Sequence, residues 1–215
     1  MTNAAPTKDS RKFRRRADAR PDEVLDAALT LFMREGFEAA RVEDIAKIAG
    51  ISKATVYLYF PSKVALLEGL VRRAISPVAI LAENMLDQFE GTAKEAITLV
   101  LGLVSSRMSD PKIYGVPAII MREASRFPDL AKIYQDEVIS HMLPALRSVV
   151  DRGIASGELR NVDAELTVRN IAGPLFMHVA AASIFSVGDN SAAGLRAFME
   201  NHLDVLFNGI CKEKL

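Results

Sequence analysis

The chain has 215 residues, half of them hydrophobic and a quarter charged, a balance that suits folded globular domains and excludes an intrinsically disordered protein. Formal net charge is zero, so bulk charge by itself points to no nucleic acid. The single cysteine, Cys211, excludes an intrachain disulfide and a cysteine-based metal cluster, and makes a reducing cytoplasm the expected compartment.

The charge is unevenly spread. Residues 1–75 carry 14 Lys/Arg against 10 Asp/Glu, and residues 76–215 carry 13 against 17. A basic front and an acidic remainder fit a nucleic-acid-binding head on a body with another task, with chance fluctuation as the alternative. Residues 1–19 read as a flexible basic arm: Arg11, Lys12, Arg14, Arg15 and Arg16 cluster there. No apolar stretch follows, so no signal peptide is expected. Such an arm is either simply solvated or lies along phosphates.

From Pro21 onward the periodicity is helical. Val24, Ala28, Leu31 and Phe32 form one stripe, with Pro21 suited to the first helical position and Gly36 to the stop. Thr92 and Glu95 have capping-box spacing. Pro111 and Pro128 stand where new helices can begin. Ile139, Met142, Leu143, Leu146, Val149 and Val150 make a stripe interrupted by Pro144, where a kink is expected, and Gly153 and Gly157 punctuate its end. Helices are predicted over about Asp163–Val187 and Ala192–Ile210, separated by the turn Gly188-Asp189-Asn190. No strand, repeat or low-complexity tract is evident. The predicted fold is all-α with about nine helices: a helix-turn-helix domain over 20–66 and a dimerisation and effector-binding domain over 67–215. Ile171–Val187 lacks formal charge but contains Pro174, His178 and two serines, and reads as a helix of a protein–protein interface rather than a membrane span.

Arg41 to Lys63 reads RVEDIAKIAGISKATVYLYFPSK. Ile45, Ala46 and Ala49 give a short helix one apolar face. Gly50 supplies a turn that needs positive φ. Ile51 plugs the corner, and Ser52 can cap a second helix from Lys53. Val56 and Phe60 turn that helix inward, and Pro61 ends it. Small residue, glycine and aliphatic at Ala46, Gly50 and Val56 is the spacing of a DNA-binding helix-turn-helix. The opposite side presents Ala54, Thr55, Tyr57 and Leu58, flanked by Lys53 and Tyr59. Hydroxyls there suit phosphate oxygens, and small or apolar groups suit thymine methyls. Lys63, after the Ser62 cap, is placed for a phosphate at a helix start. The competing reading packs these tyrosines on neighbouring helices, Tyr59 above all.

Val24 to Leu67 resembles the DNA-binding domain of the tetracycline-repressor family. The resemblance rests on Ala27-Ala28-x-x-Leu31-Phe32, Gly36-Phe37, Val42-x-Asp44-Ile45-Ala46, Ala49-Gly50-Ile51-Ser52, Thr55-Val56-Tyr57-x-Tyr59-Phe60 and Ser62-Lys63-x-x-Leu66-Leu67. It implies a major-groove helix over about Lys53 to Phe60, phosphate contacts from Thr55, Tyr57, Tyr59 and Lys63, and a homodimer reading palindromic double-stranded DNA, by family default as a repressor. Arg41 departs from the family, which commonly has Thr or Ser there as a helix cap. Arg cannot accept the cap hydrogen bond, and a phosphate contact from Arg41 is the expected compensation. Tyr114 to Tyr134 resembles the sensor domain of the AefR-type branch, which names no ligand.

In the body, Ala180, Ala181, Ala182 and Ser183 permit close helix approach; the family pairs its last two helices with those of a second copy. Candidate pocket residues are Phe89, Leu103, Arg107, Tyr114, Met121, Phe176, Met177 and His178, each with core or interface packing as the plain alternative. The helix from Ser62 toward Ala74, leading to Pro77, is the expected lever between head and body. A regulator without a small-molecule effector would have the same head; a fully packed body would favour it, and a cavity of a few hundred Å3 would favour sensing. An enzyme is the remote alternative. His141, His178 and His202 lack metal spacing, and there is no phosphate loop, G-x-S-x-G or paired cysteine. No metal or cofactor is expected.

Overall fold

A computed structural model describes the backbone of residues 8–211 and the side chains of residues 21–211. Among the described residues there are nine helices and no strand; Leu159 and Cys211 form one isolated bridge. The chain divides into two compact units, residues up to Gly69 and residues from Leu70 on.

In the first unit, α1 is Lys8–Glu35, α2 is Val42–Ile48 and α3 is Lys53–Tyr59. The arm expected over 1–19 falls on residues whose side chains lie outside the description, its first seven entirely so; the backbone from Lys8 is already helical. Pro21 therefore stands inside α1, not at its first position. Val24, Ala28, Leu31 and Phe32 are fully buried, and Phe32 meets Phe37 with ring centroids 5.2 Å apart. Gly36, at φ 87°, turns the chain out of α1.

Helix α4 runs Lys63–Leu70, widens into a π turn at Val71–Ile75, and continues as Ser76–Asp87. The unit boundary falls within it. It does not stop before Pro77 as the sequence suggests. A proline lacks an N–H and crowds the carbonyl four residues back. For Pro77 that is Arg73, inside the π turn, where the widened backbone relieves the crowding.

The second unit continues with α5 (Ala93–Met108), α6 (Pro111–Glu123), α7, α8 (Ala164–Phe185) and α9 (Ala192–Ile210). Helix α7 runs Pro128–Tyr134, a second π turn Gln135–Ile139, then Ser140–Ala155. Pro144 sits within this last segment, and so does Gly153, which is buried and does not end the helix. The caps are local. Thr92 and Glu95 form the capping box of α5, and Asp110, Asp163 and Ser191 accept from backbone N–H groups at the starts of α6, α8 and α9. One cap is remote: Glu158 accepts from Ala93 N at 2.7 Å and Lys94 N at 2.9 Å. The core holds Ile97, Val100, Leu146, Val149, Val150 and Ile171, all fully buried.

The π turns face each other. Arg72 Nε donates to Glu137 Oε1 at 2.8 Å, and Ser76 Oγ donates to Glu137 Oε2 at 3.0 Å. One turn further along, His141 Nδ1 lies 2.8 Å from Glu83 Oε2.

Candidate functional site

The helix-turn-helix is built from local chemistry. Ile45 and Ala46 bury the inner face of α2, Gly50 makes the turn at φ 67°, and Val56 is fully buried under α3. Ser52 caps α3, its Oγ accepting from Thr55 N at 3.1 Å. The Thr55 hydroxyl also bonds that oxygen, at 2.8 Å. Glu43 on α2 pairs with Lys53 on α3, tying the two helices together, and Asp44 pairs with Lys47 at 2.8 Å. Those bonds hold the Glu43 and Asp44 carboxyls below the usual carboxylate range and the two ammonium groups above theirs.

Lys53, Ala54, Tyr57 and Leu58 form one exposed stripe on α3, with Leu58 79% exposed. A bare leucine at that level has no packing role within its own unit. Lys53 Nζ also lies 5.7 Å from the Tyr57 ring centroid. Thr55 and Tyr59 are half-buried. Arg41 is exposed at the N-cap of α2 and makes no cap bond. The ammonium of Lys63, expected at a phosphate, here donates to the carbonyls of Phe37 (2.8 Å), Glu38 (2.8 Å) and Ala40 (3.1 Å). Three donors meet three carbonyls of the loop between α1 and α2, and the Phe37 ring lies beneath at 5.1 Å.

The second unit holds an apolar cavity of about 280 Å3, lined from α4, α5, α6, α7 and α8. Its wall includes Ile75, the last residue of one π turn, and Val138 and Ile139 in the other. Only two lining side chains carry nitrogen or oxygen, Tyr134 and Arg169. Arg169 is exposed and pairs with Glu165 at 3.1 Å. Tyr134 is buried, its ring 6.2 Å from that of Phe176, and burial pushes its phenol well above the usual range.

Of the eight residues expected at a pocket, only Phe176 lines this cavity. Phe89 covers Gly91 beside a separate polar groove with Arg152 and Glu158. Leu103 and Tyr114 pack half-buried against the core, and Met121 is half-buried outside the cavity wall. Arg107 is exposed in the last turn of α5, where a cation suits the helix dipole. Met177 is 60% exposed on α8. His178 stacks on Phe198 with centroids 4.3 Å apart, and its Nε2 lies 3.2 Å from the Asp189 carbonyl. Sequence reasoning missed Tyr134 and Arg169. The only signal was a tyrosine closing an apolar segment, which Tyr114 shares. Among the described residues no group of three or more His, Cys, Asp or Glu is arranged to hold a metal.

Two family models match. Residues 24–70 match "Bacterial regulatory proteins, tetR family", and residues 87–184 match "Tetracyclin repressor-like, C-terminal domain". The segment Tyr114–Tyr134 lies inside the second match, whose description names no AefR-type branch. Among curated relatives, the fatty acid metabolism regulator protein of Bacillus subtilis is 27% identical over 154 residues, covering 71% of this chain and 78% of that protein. RutR of Escherichia coli is 40% identical over 75 residues, 35% of each chain. Among solved structures, FadR of Bacillus subtilis in complex with stearoyl-CoA matches with a TM-score of 0.70 and 26% identity, covering 87% of this chain and 97% of that one. The ketosteroid regulator KstR2 of Mycobacterium tuberculosis matches with a TM-score of 0.72, 21% identity, and coverage of 90% and 96%, a likeness of fold. These relatives are DNA-binding regulators and not enzymes. With the head and most of the body both matched, the chain belongs to the tetracycline-repressor family of bacterial transcriptional regulators.

Proposed function

We propose that this regulator is a cytoplasmic homodimer that binds a palindromic operator, represses from it, and is released by a small apolar effector held in the body. The observation that carries the effector is the cavity of about 280 Å3 with its nearly all-hydrocarbon wall. That is close to the lower end of ligand-site volumes, roughly 300–1,000 Å3. A wholly packed body would favour a regulator without an effector. The FadR complex with stearoyl-CoA supports an effector with a hydrocarbon chain.

In this reading Lys53, Ala54, Tyr57 and Leu58 enter the major groove, with Arg41 and the Thr55 and Tyr59 hydroxyls near the backbone. The dimer reading rests on α8 and α9. Helix α8 is long and apolar enough to cross a membrane by length and composition, yet only 28% of its apolar window is buried within the chain. Leu166, Met177 and Phe185 on α8 and Val205 on α9 are each more than half exposed. A second copy covering these faces removes that apolar surface from water and gives the two-fold symmetry a palindrome needs. The effector acts by favouring a dimer whose recognition helices no longer match half-sites about 34 Å apart.

The test is selection of bound sequences from random duplex DNA by the purified protein at two salt concentrations. Enrichment of a palindrome with half-sites one turn apart supports the reading. Binding without enrichment, lost at moderate salt, overturns it.

A further inference from the structure

Resting on the reading of α3 as the helix that enters the major groove, we propose that Glu43 is a specificity-determining residue for DNA recognition: it holds the Lys53 ammonium back from phosphates and in place to read the O6 and N7 acceptors of a guanine.

Lys53 is the first residue of α3 and opens its exposed stripe with Ala54, Tyr57 and Leu58. Residues at the start of a recognition helix are the ones that reach base edges. A lysine there has two kinds of target. Phosphates accompany every sequence, whereas guanine alone presents two adjacent acceptors in the major groove. An ammonium on a free four-carbon stem takes whichever is nearer, and a phosphate contact carries no sequence information.

The Lys53 stem is not free. Its ammonium donates to Glu43 Oε1, ten residues back on α2, and lies 5.7 Å from the Tyr57 ring centroid on its own helix. Contacts from two helices thus define one position for it. Glu43 sits in the first turn of α2, where an anion suits the helix dipole. Lys47, the other ammonium of α2, is held by Asp44 at 2.8 Å, which leaves Glu43 to Lys53. An ammonium has three N–H donors, and Glu43 takes one. The other two serve a guanine with the pair intact. A phosphate that draws the ammonium off Glu43 forfeits the pair. Its partners are 49% and 50% exposed, so the forfeit is up to about five-fold in affinity for each head. That penalty falls on DNA of arbitrary sequence and spares a site with guanine at the right step, which is discrimination.

The test compares the full-length wild type with Glu43→Gln, Lys53→Met and the double variant. Selection from random duplex DNA gives each protein's preferred bases. Affinities for the wild-type site and for a duplex of the same bases shuffled give a discrimination ratio. The expected wild-type site carries a guanine in each half that K53M no longer enriches. In E43Q the ratio falls about three-fold for each head, about ten-fold for a dimer, because binding to shuffled DNA tightens. In the K53M background the same substitution changes the ratio by less than about two-fold, a dependence on Lys53 that a merely structural role of Glu43 does not produce. A wild-type site without such a guanine, or the same bases enriched by K53M, overturns the base contact. An unchanged ratio in E43Q, or an equal fall with and without Lys53, overturns the role of Glu43 and leaves the reading of α3 standing. Enrichment of no site by the wild type overturns the inference together with that reading.

Discussion

Arg72 and Glu137 join two π turns that lie 65 residues apart in sequence, the Arg72 guanidinium donating to the Glu137 carboxylate at 2.8 Å. Ser76 holds the second carboxylate oxygen. Both widened turns also contribute to the wall of the cavity, through Ile75 in one and Val138 and Ile139 in the other. Helix widenings are frequent at functional positions, and here each also accompanies a proline further along the same helix.

Hydrogen bonding to Arg72, then to Ser76, holds the Glu137 carboxyl below the usual carboxylate range. A lowered folded pKa contributes stability that is complete above the unfolded value and lost as pH falls through the folded one. Glu137→Gln should therefore cost less than about 1 kcal/mol at pH 7, the pair being partly exposed. The deficit should shrink as pH drops below the ordinary carboxylate range. Urea midpoints of both proteins between pH 7 and pH 3 check this; a gap that stays constant with pH would show that the pair contributes nothing through charge.

Lys63 serves three loop carbonyls. Lys63→Met keeps the stem and removes the ammonium, so the loss should be about 1.5–3 kcal/mol, the range for hydrogen bonds to a charged group. Amide hydrogen exchange in the loop Gly36–Ala40 should accelerate. The slope of log affinity for DNA against log salt should stay unchanged. A slope smaller by about one would mean that Lys63 leaves the loop for a phosphate when DNA binds.

Arg41 stands at the start of α2 without a cap bond, in an extended conformation that a capping serine also adopts. Arg41→Ser should raise stability by about 1 kcal/mol while weakening DNA binding and lowering its salt slope by about one. Thermal melts and titrations across salt concentrations read the two effects separately. Unchanged DNA affinity would remove Arg41 from the DNA face.

Phe185, 69% exposed near the end of α8, tests the dimer. Phe185→Glu places a charge on an apolar face that a second copy would cover, at a cost of several kcal/mol for a buried unpaired ion. Sedimentation should show the monomer at micromolar concentration, and operator binding should weaken at least ten-fold. A variant that sediments and binds as the wild type would move the interface elsewhere.

Features that depend on neighbours a few residues away are legible along the chain. Gly36 and Gly50 mark backbone turns of positive φ, Thr92 and Glu95 cap each other, and Asp163 caps its own helix. The inward positions of Val24, Ile45 and Val56 follow from helical period alone. Those signals are enough for the all-α fold and the helix-turn-helix. Tertiary structure decided what depends on segments far apart. Tyr114 and Tyr134 read alike along the chain, yet packing of the helices leaves the cavity beside one and not the other. The carbonyls that the Lys63 ammonium meets belong to a loop more than twenty residues before it. A void, or a donor set from another segment, is a property of how helices meet, and no local pattern encodes it.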